Sequence, residues 1–242
     1  MFDYTSTVEE INKSGIKTAI IPLGSVEQHS SHLPIGTDCI IAEAVARSVG
    51  ERMNAFVLPV IPIGTCYEHK CAGKFTAVWL RPVTLYHIIE DIVLSLKNQG
   101  FEQIALLLGH GGLFVVGPVV RELNANNDNL TVVHRELFSD AGKSGLTECA
   151  DDVHAGEIET SVMLYLKEQY VKKDDMLKND FLPDVPRSFL NYSSILKLSN
   201  TGVWGKPSLA GKDKGEKLLL YEVEQTVEFI TRAFKAATKN AW

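Results

Sequence analysis

The apolar positions of the chain form short continuous runs that alternate with longer stretches of helical periodicity. The short runs predict strands at 17–23, 56–61, 103–108 and 130–135. The periodic stretches predict helices at 38–52, 83–98, 114–124, 156–168 and 212–237. The strand runs do not alternate apolar with polar residues, which is typical of strands that are covered on both faces. This alternation of strands and helices predicts a three-layer α/β/α domain with a mostly parallel sheet.

The pattern is regular along almost the whole chain. Since no linker-like stretch or internal repeat interrupts it, we expect one domain over residues 1–242. The exception is 179–211, which is rich in Pro, Ser, Asn and Gly. Long irregular segments in compact domains are often functional lids, and we expect this segment to cover a site.

Polar residues gather where the predicted strands end. In chain order they are Glu27, His29 and Asp38, then Glu68 and His69, then His110, and finally His154 and Glu159. In open parallel sheets, ligands bind outside the carboxyl ends of the strands. The sequence therefore predicts that these side chains meet at one functional site.

The first polar cluster has the donor types of a metal site. Glu27 and His29 are two positions apart, so in an extended loop they point the same way, and Asp38 adds a second carboxylate. Mixed nitrogen and oxygen ligands suit Zn, Mn or Fe(II). The alternative is a polar loop in which Asp38 only caps the following helix.

The second cluster is Gly-His-Gly-Gly at 109–112. Its glycines permit tight backbone geometry and the close approach of other groups to His110. The alternative is a glycine-rich loop that binds phosphate at a helix start. The cluster lacks the spacing of the known dinucleotide and P-loop motifs, so a metal ligand is favoured.

Two further groups are open to more than one interpretation. An acidic residue in a first helical turn is expected from the helix dipole alone, which explains Glu157 better than Glu159. His154 lies just before the same helix. Glu68 and His69 either line the substrate cavity or belong to a solvated loop.

Composition excludes several classes of function. Twenty-four Lys and Arg against 30 Asp and Glu give a net charge of −6, so the chain lacks the positive charge that nucleic acids and anionic membranes attract. No apolar run is as long as a membrane span. The N-terminal residues lack the basic and apolar regions of a secretory signal. Four cysteines without a CxxC pair indicate reduced thiols, and we expect a cytoplasmic protein.

Four segments of the chain resemble the creatininase (creatinine amidohydrolase) family. They are PLGSVEQHSSHLPIGTD at 22–38, GHGG at 109–112, HAGEIETS at 154–161 and GVWGKPSLAGKDKGEK at 202–217. The resemblance implies an α/β/α domain, commonly a homohexamer, with a centre of two divalent metal ions (Zn, Mn or Fe). It implies that the metal ligands are Glu27, His29, Asp38, His110 and Glu159, with Asp38 bridging. It also implies that His154 is the catalytic or substrate-contacting histidine.

The chain departs from the family around the pocket. Creatininase has a metal-ligating glutamate two residues after the ligand histidine, where this chain has Gly112. Relatives have Pro-Gly-Thr where this chain has Ala-Gly-Lys-Phe-Thr at 72–76, so Lys74 becomes a candidate substrate-binding residue. The other candidates for the substrate-binding wall are Glu68, His69 and Trp204. These changes predict that the substrate is not creatinine.

The leading functional hypothesis is hydrolysis of a cyclic amide or related C–N bond in a small polar ring compound. Two divalent ions would supply water that is ionised near neutral pH and would polarise a carbonyl group. One alternative is a hydrolase that opens the C–C bond of a cyclic polyol ketone such as a keto-inositol. Another is a non-catalytic metal-binding protein with a decayed site. The expected partners are a small-molecule substrate and further copies of the chain.

Overall fold

The computed structural model describes residues 1–239 and contains a central parallel β-sheet. The strands in chain order are β1 (Phe2–Asp3), β2 (Thr18–Leu23), β3 (Val26–Glu27), β4 (Phe56–Val57), β5 (Ala77–Val78), β6 (Gln103–Leu108) and β7 (Thr131–Glu136). Five of them form the sheet in the order β1-β4-β2-β6-β7, and every neighbouring pair is parallel. β3 and β5 form a separate antiparallel pair.

Helices pack on both faces of the sheet. They are α1 (Val8–Ser14), α2 (Thr37–Met53), α3 (Pro82–Asn98), α4 (Val116–Asn126), α5 (Glu157–Lys167), α6 (Lys173–Met176), α7 (Ile195–Leu198) and α8 (Lys212–Lys239). α2, α5 and α8 contact one another on one face, and α3 contacts α4 on the other. The predicted three-layer α/β/α fold is confirmed.

The two cores follow from the pleat of the central strands. Ile20 packs with α2, α5 and α8, whereas its neighbour Ile21 packs with α3 and α4. The same division separates Leu107 from Leu106 on β6. All four side chains are almost completely buried, because successive side chains of a strand point to opposite faces and each face is covered. This is why the strand runs are continuously apolar.

The predicted strand at 56–61 is wrong in length. Only Phe56–Val57 forms a ladder, and the chain makes one further bridge from Ile61 to Leu23. Pro59 has no backbone N–H, so it cannot donate in a parallel ladder. The N-terminal β1 and α1 were not expected, since a two-residue strand has no detectable periodicity.

No helix among residues 1–239 is long and apolar enough to cross a membrane.

The ends of β2 and β6 bring the polar loops together. Leu23 and Leu108, the last residues of these strands, are register partners, and the Gly109 N–H donates to the Leu23 carbonyl. A Cβ at Gly109 would lie 2.8 Å from Ala42 Cβ and 2.9 Å from the Asp38 carbonyl oxygen. The glycine therefore lets the start of α2 approach the end of β6.

Candidate metal centre

The predicted ligand residues converge from five separate places in the chain. They are Glu27 at the end of β3, His29 in the next loop, Asp38 in the first turn of α2, His110 after β6 and Glu159 in the first turn of α5. Glu27, His29, Asp38 and His110 are buried, and Glu159 is partly buried. Their placement follows the rule that sites lie beyond the carboxyl ends of parallel strands.

Asp38 lies between two histidines. Its Oδ1 atom is 3.1 Å from His29 Nε2, and its Oδ2 atom is 3.4 Å from His110 Nδ1. Glu27 Oε1 is 3.1 Å from the same His110 nitrogen, and Glu159 Oε2 is 3.6 Å from the same His29 nitrogen. The donors thus form two groups, Glu27 with His110 and His29 with Glu159, which share Asp38.

Several buried polar atoms at this centre have a charged neighbour within ion-pair distance but make no well-aligned hydrogen bond. Among the described residues they include Glu27 Oε1, Asp38 Oδ2 and His110 Nε2. A buried polar atom without a partner is costly, and such atoms call for an explanation. Three donor sets in which the ligand atoms lie within 4.8 Å of one another are compatible with a metal ion; they are Glu27–Asp38–His110, His29–Asp38–Glu159 and Glu27–His29–His154. The residues fit divalent ions bound by nitrogen and oxygen ligands.

The charges at the centre are strongly coupled. Burial acts to lower the pKa of His29, but the carboxylates of Asp38 and Glu159 outweigh it and raise that pKa to about 10. Burial raises the pKa of Glu159 to about 7. The carboxylates thus hold a proton on His29 when no other cation is near, and a divalent ion would take over this role.

The ligand side chains are held in place by further hydrogen bonds. Ser25 Oγ donates to Glu27 Oε2 at 2.7 Å, which leaves Oε1 for the centre. His29 Nδ1 donates to the Glu27 carbonyl at 3.1 Å, so its Nε2 atom is the one that faces Asp38. The Ala155 N–H donates to Glu159 Oε2 at 2.6 Å. Partners of this kind fix the tautomer and orientation of metal ligands.

His154 lies at the centre without a carboxylate in hydrogen-bond contact. Its Nε2 atom donates to the Gln28 carbonyl at 2.8 Å, and its Nδ1 atom lies 3.8 Å from Glu27 Oε1. Burial, followed by the charge of His29, lowers the pKa of His154 well below its usual range. His154 is thus a neutral imidazole whose Nδ1 lone pair faces the candidate ligands.

His69 is buried and is oriented by Gln28. The Ser30 N–H donates to Gln28 Oε1 at 2.9 Å, so the amide nitrogen of Gln28 faces His69 Nδ1 at 3.1 Å and the Gly202 carbonyl at 3.1 Å. His69 Nδ1 therefore accepts, and the proton lies on Nε2, which is 3.0 Å from Glu27 Oε1. The solvated-loop interpretation of His69 is wrong, because the side chain is 3% exposed.

Glu68 fills the space that Gly112 leaves open. Glu68 Oε1 lies 3.1 Å from His110 Nε2. A Cβ at Gly112 would lie 2.3 Å from Glu68 Oε1, 2.4 Å from His110 Nε2 and 2.5 Å from the Thr65 carbonyl. No side chain fits at position 112 in this arrangement.

The other two predicted substrate-binding residues lie differently. Trp204 is buried, and its backbone forms an antiparallel bridge with His154. Its indole Nε1 has no hydrogen-bond partner among the described residues. Lys74 is exposed on the loop before β5, and no hydrogen bond joins it to the described part of the centre. Substrate contact by Lys74 and Trp204 stays a prediction.

A cavity of about 250 Å³ opens beside the centre. Its wall includes His110, His154, Glu159, Glu136 and Arg187. Arg187 comes from the segment 179–211, which is anchored by a bridge from Phe181 to Gly205 and by the Asn179 amide on His32 and Ser31. Part of the expected lid thus lines the cavity mouth.

Sequence reasoning missed Gln28 and Arg187. Gln28 lies between two candidate ligands, and its position in Glu-Gln-His was the available signal. A lone arginine in an irregular segment carries no such signal. His32, which is buried nearby, has hydrogen bonds with Thr160 Oγ1 and Asn179 Nδ2, neither of which belongs to a candidate metal ligand.

The fold and the carboxylate–histidine centre define a class of α/β hydrolases, and comparison with known proteins identifies the family. The family model Creatininase (creatinine amidohydrolase) matches residues 4–230. The chain belongs to the creatininase family, whose named members are hydrolases.

Three curated relatives illustrate the range of the family. The mycofactocin precursor peptide peptidase of Mycobacterium tuberculosis is 30% identical over 224 residues, covering 88% of this chain and 84% of the relative. The creatinine amidohydrolase of Pseudomonas putida is 25% identical over 236 residues, covering 89% of each. The 3-dehydro-scyllo-inosose hydrolase of Thermotoga maritima is 26% identical over 251 residues, covering 90% of this chain and 78% of the relative.

Solved creatininase structures share the fold. A manganese form and a variant of the Zn-Zn type each match with a TM-score of 0.82 and 22% identity, over 95% of this chain and 97% of theirs. At this identity the match supports the fold of the chain and not its substrate.

Proposed function

We propose that the chain is a two-metal hydrolase that cleaves an amide or related C–N bond in a small polar ring compound. The observation that carries the proposal is the position of Asp38, whose two carboxylate oxygens face His29 and His110 separately. A carboxylate in this position can hold one ion on each oxygen. The buried atoms Glu27 Oε1 and Asp38 Oδ2, which make no well-aligned hydrogen bond, support the same assignment.

The proposed ligands divide between two ions. Glu27, Asp38 and His110 would hold one ion, and His29, Asp38 and Glu159 would hold the other. Zinc and manganese are the proposed metals, with iron as the third possibility, because nitrogen and oxygen donors without thiolates suit all three. The manganese and Zn-Zn types of the creatininase structures support this choice.

The ions would supply water that is ionised near neutral pH and would polarise the carbonyl of the substrate. In our proposal His154 is the catalytic base and acid. Its neutral Nδ1 takes a proton at the centre and delivers it to the leaving nitrogen, while its Nε2–H stays bound to the Gln28 carbonyl. The bond to that carbonyl holds the ring in the tautomer that this step needs.

Amide chemistry has the broadest support among the family members. Two of the three relatives are named as a peptide peptidase and a creatinine amidohydrolase. We propose that creatinine itself is not the substrate, because Glu68 occupies the space next to Gly112 that a longer residue would need. Glu68, His69, Lys74 and Trp204 are the proposed substrate-binding residues, of which Glu68 and His69 lie at the centre.

Opening of a keto-inositol ring is the second candidate function. The relative from Thermotoga maritima, named as an inosose hydrolase, matches over 90% of this chain. Attack of water on a ring ketone would use the same carbonyl polarisation.

We also propose that the protein is a cytoplasmic homohexamer with one domain per chain. This part of the proposal rests on the family resemblance and the composition.

A substrate panel tests the proposal. Zinc- and manganese-loaded protein would be assayed with creatinine, a lactam, a formamidopyrimidine, a short peptide and a keto-inositol. We expect hydrolysis of at least one amide, no efficient turnover of creatinine, and no activity in Asp38→Ala. Ketone opening without amide hydrolysis would favour the second candidate, and efficient creatinine hydrolysis would refute the assignment of substrate.

A further inference from the structure

Arg187 brings a permanent positive charge to the wall of the metal-centre cavity. It begins the 3-10 turn Arg187–Asn191 and lines the same cavity as His110, His154 and Glu159. Among the described residues of that wall it is the only lysine or arginine. Since a guanidinium stays protonated at all physiological pH values, this charge does not depend on the state of the centre.

Gly111 creates the room for this guanidinium. A Cβ at Gly111 would lie 2.6 Å from Arg187 Nη2, so the guanidinium would have to move if a side chain stood there. The arginine therefore lies against the backbone directly after the candidate ligand His110.

Within the described residues, the contact with Glu136 leaves most hydrogen-bond donors of Arg187 unused. Nη2 lies 3.3 Å from Glu136 Oε1, and the two side chains are 55% and 45% exposed. Exposed ion pairs of this kind contribute little free energy. A guanidinium has five N–H donors, and only Nη2 has a hydrogen-bond partner among the described residues. The remaining donors are available to a ligand.

We propose that Arg187 binds a carboxylate group of the substrate, so that the preferred substrates are amides that also carry a carboxylate. The inference rests on the proposed function, since it places the scissile group at the metal centre. The planar fork of arginine matches a carboxylate with two parallel hydrogen bonds. A small acid and the C-terminus of a peptide share this chemistry.

Binding by the zinc-loaded protein tests the proposal without turnover. Calorimetric titrations would use malonate, succinate and glutarate, each beside its half-amide, in which one carboxylate becomes a neutral group of similar size. A second pair would be an acetylated dipeptide with a free C-terminus and its C-terminal amide. We expect at least one acid to bind ~10-fold or more tightly than its neutral partner, as a charge-assisted bidentate contact would give. The pair that shows the gain identifies the source of the carboxylate.

Substitutions at the cavity mouth assign the effect to the arginine. Arg187→Gln should abolish the preference for the acid, Arg187→Lys should retain part of it, and Glu136→Gln should retain or increase it. Metal content, measured in each variant, should stay at the wild-type level. An Arg187→Gln protein that keeps the full preference would overturn the inference, as would a loss of metal that accompanies the loss of binding. If the half-amides bind and no acid binds more tightly than its own half-amide, the inference about Arg187 is wrong and the proposed function stands. If the protein takes up no metal and binds none of the compounds, the proposed function is wrong as well.

Discussion

The Oδ1 atom of Asp38 lies 3.1 Å from the Nε2 atom of His29, while the second oxygen of the same carboxylate faces His110. Two donor groups thus meet at one residue in the first turn of α2. Glu159 belongs only to the His29 group, since its Oε2 atom is 3.6 Å from His29 Nε2.

Glu159→Gln should remove one metal ion and leave the other. The variant loses one anionic donor of the His29 group but none of the Glu27–Asp38–His110 group. Elemental analysis of the purified protein measures the change, with Glu51→Gln on the exposed face of α2 as a control that should keep all bound metal. Full metal content in Glu159→Gln would remove this residue from the ligand set.

His154→Gln should keep the metals and lose turnover. His154 holds its proton on Nε2 through the Gln28 carbonyl and presents Nδ1 to the centre. General acid–base steps are typically worth ~10²–10⁴-fold, and we expect a loss in kcat of that size on any substrate that the wild type hydrolyses. A wild-type rate would reduce His154 to a structural residue, and loss of metal would make it a ligand.

Replacing His69 with glutamine should weaken metal binding less than replacing it with leucine. Its Nε2–H lies 3.0 Å from Glu27 Oε1, and the side-chain nitrogen of glutamine can replace that donor. Residues that support metal ligands are typically worth ~10–100-fold in metal affinity. Competition with a chelator should show a loss of this order in His69→Leu and a smaller one in His69→Gln. Equal affinities in both variants would contradict the role of the donor.

His32 should make the metal-free protein less stable in acid. Burial, together with the charge of His29, lowers the pKa of His32 to about 4, against roughly 6.5 in an unfolded chain. The unfolded chain therefore takes up a proton first, and stability falls as the pH drops from about 6.5 to about 4. The full pKa shift corresponds to a loss of about 3 kcal/mol in the free energy of unfolding.

Urea denaturation of chelator-treated protein at pH 7 and pH 4.5 measures this effect. The difference between the two pH values should be smaller in His32→Gln than in the wild type. His87→Gln is the matched control, because His87 is 62% exposed on α3. A pH dependence that is unchanged in His32→Gln would show that other groups cause the acid sensitivity.

Periodicity predicted the elements that carry most of the fold. β6 begins and ends where the apolar run does, and α2 and α3 extend only one residue or so beyond the predicted bounds. These segments are long, buried and strongly patterned. The short β1 and the ribbon of β3 and β5 have two residues per strand, and they depend on pairing partners far away in the chain. A local sequence pattern does not indicate contacts between residues that are distant in the chain.

The candidate site was predictable in part, because parallel topology brings the loops after successive strands to one edge of the sheet. This topology indicated which residues lie close together, but not how their side chains are oriented. The tautomer of His69 depends on the Gln28 amide and on the Ser30 N–H. The place of Arg187 depends on an irregular segment that packs against Gly111. Both are properties of packing between distant parts of the chain.

Titration of metal-free wild type and Asp38→Ala with zinc is the most direct test of the two-metal centre. Asp38 is the only residue shared by the Glu27–His110 and His29–Glu159 groups. The account predicts about two tightly bound zinc ions per wild-type chain and the loss of both in Asp38→Ala. One ion or none in the wild type, or two full equivalents retained by Asp38→Ala, would contradict it.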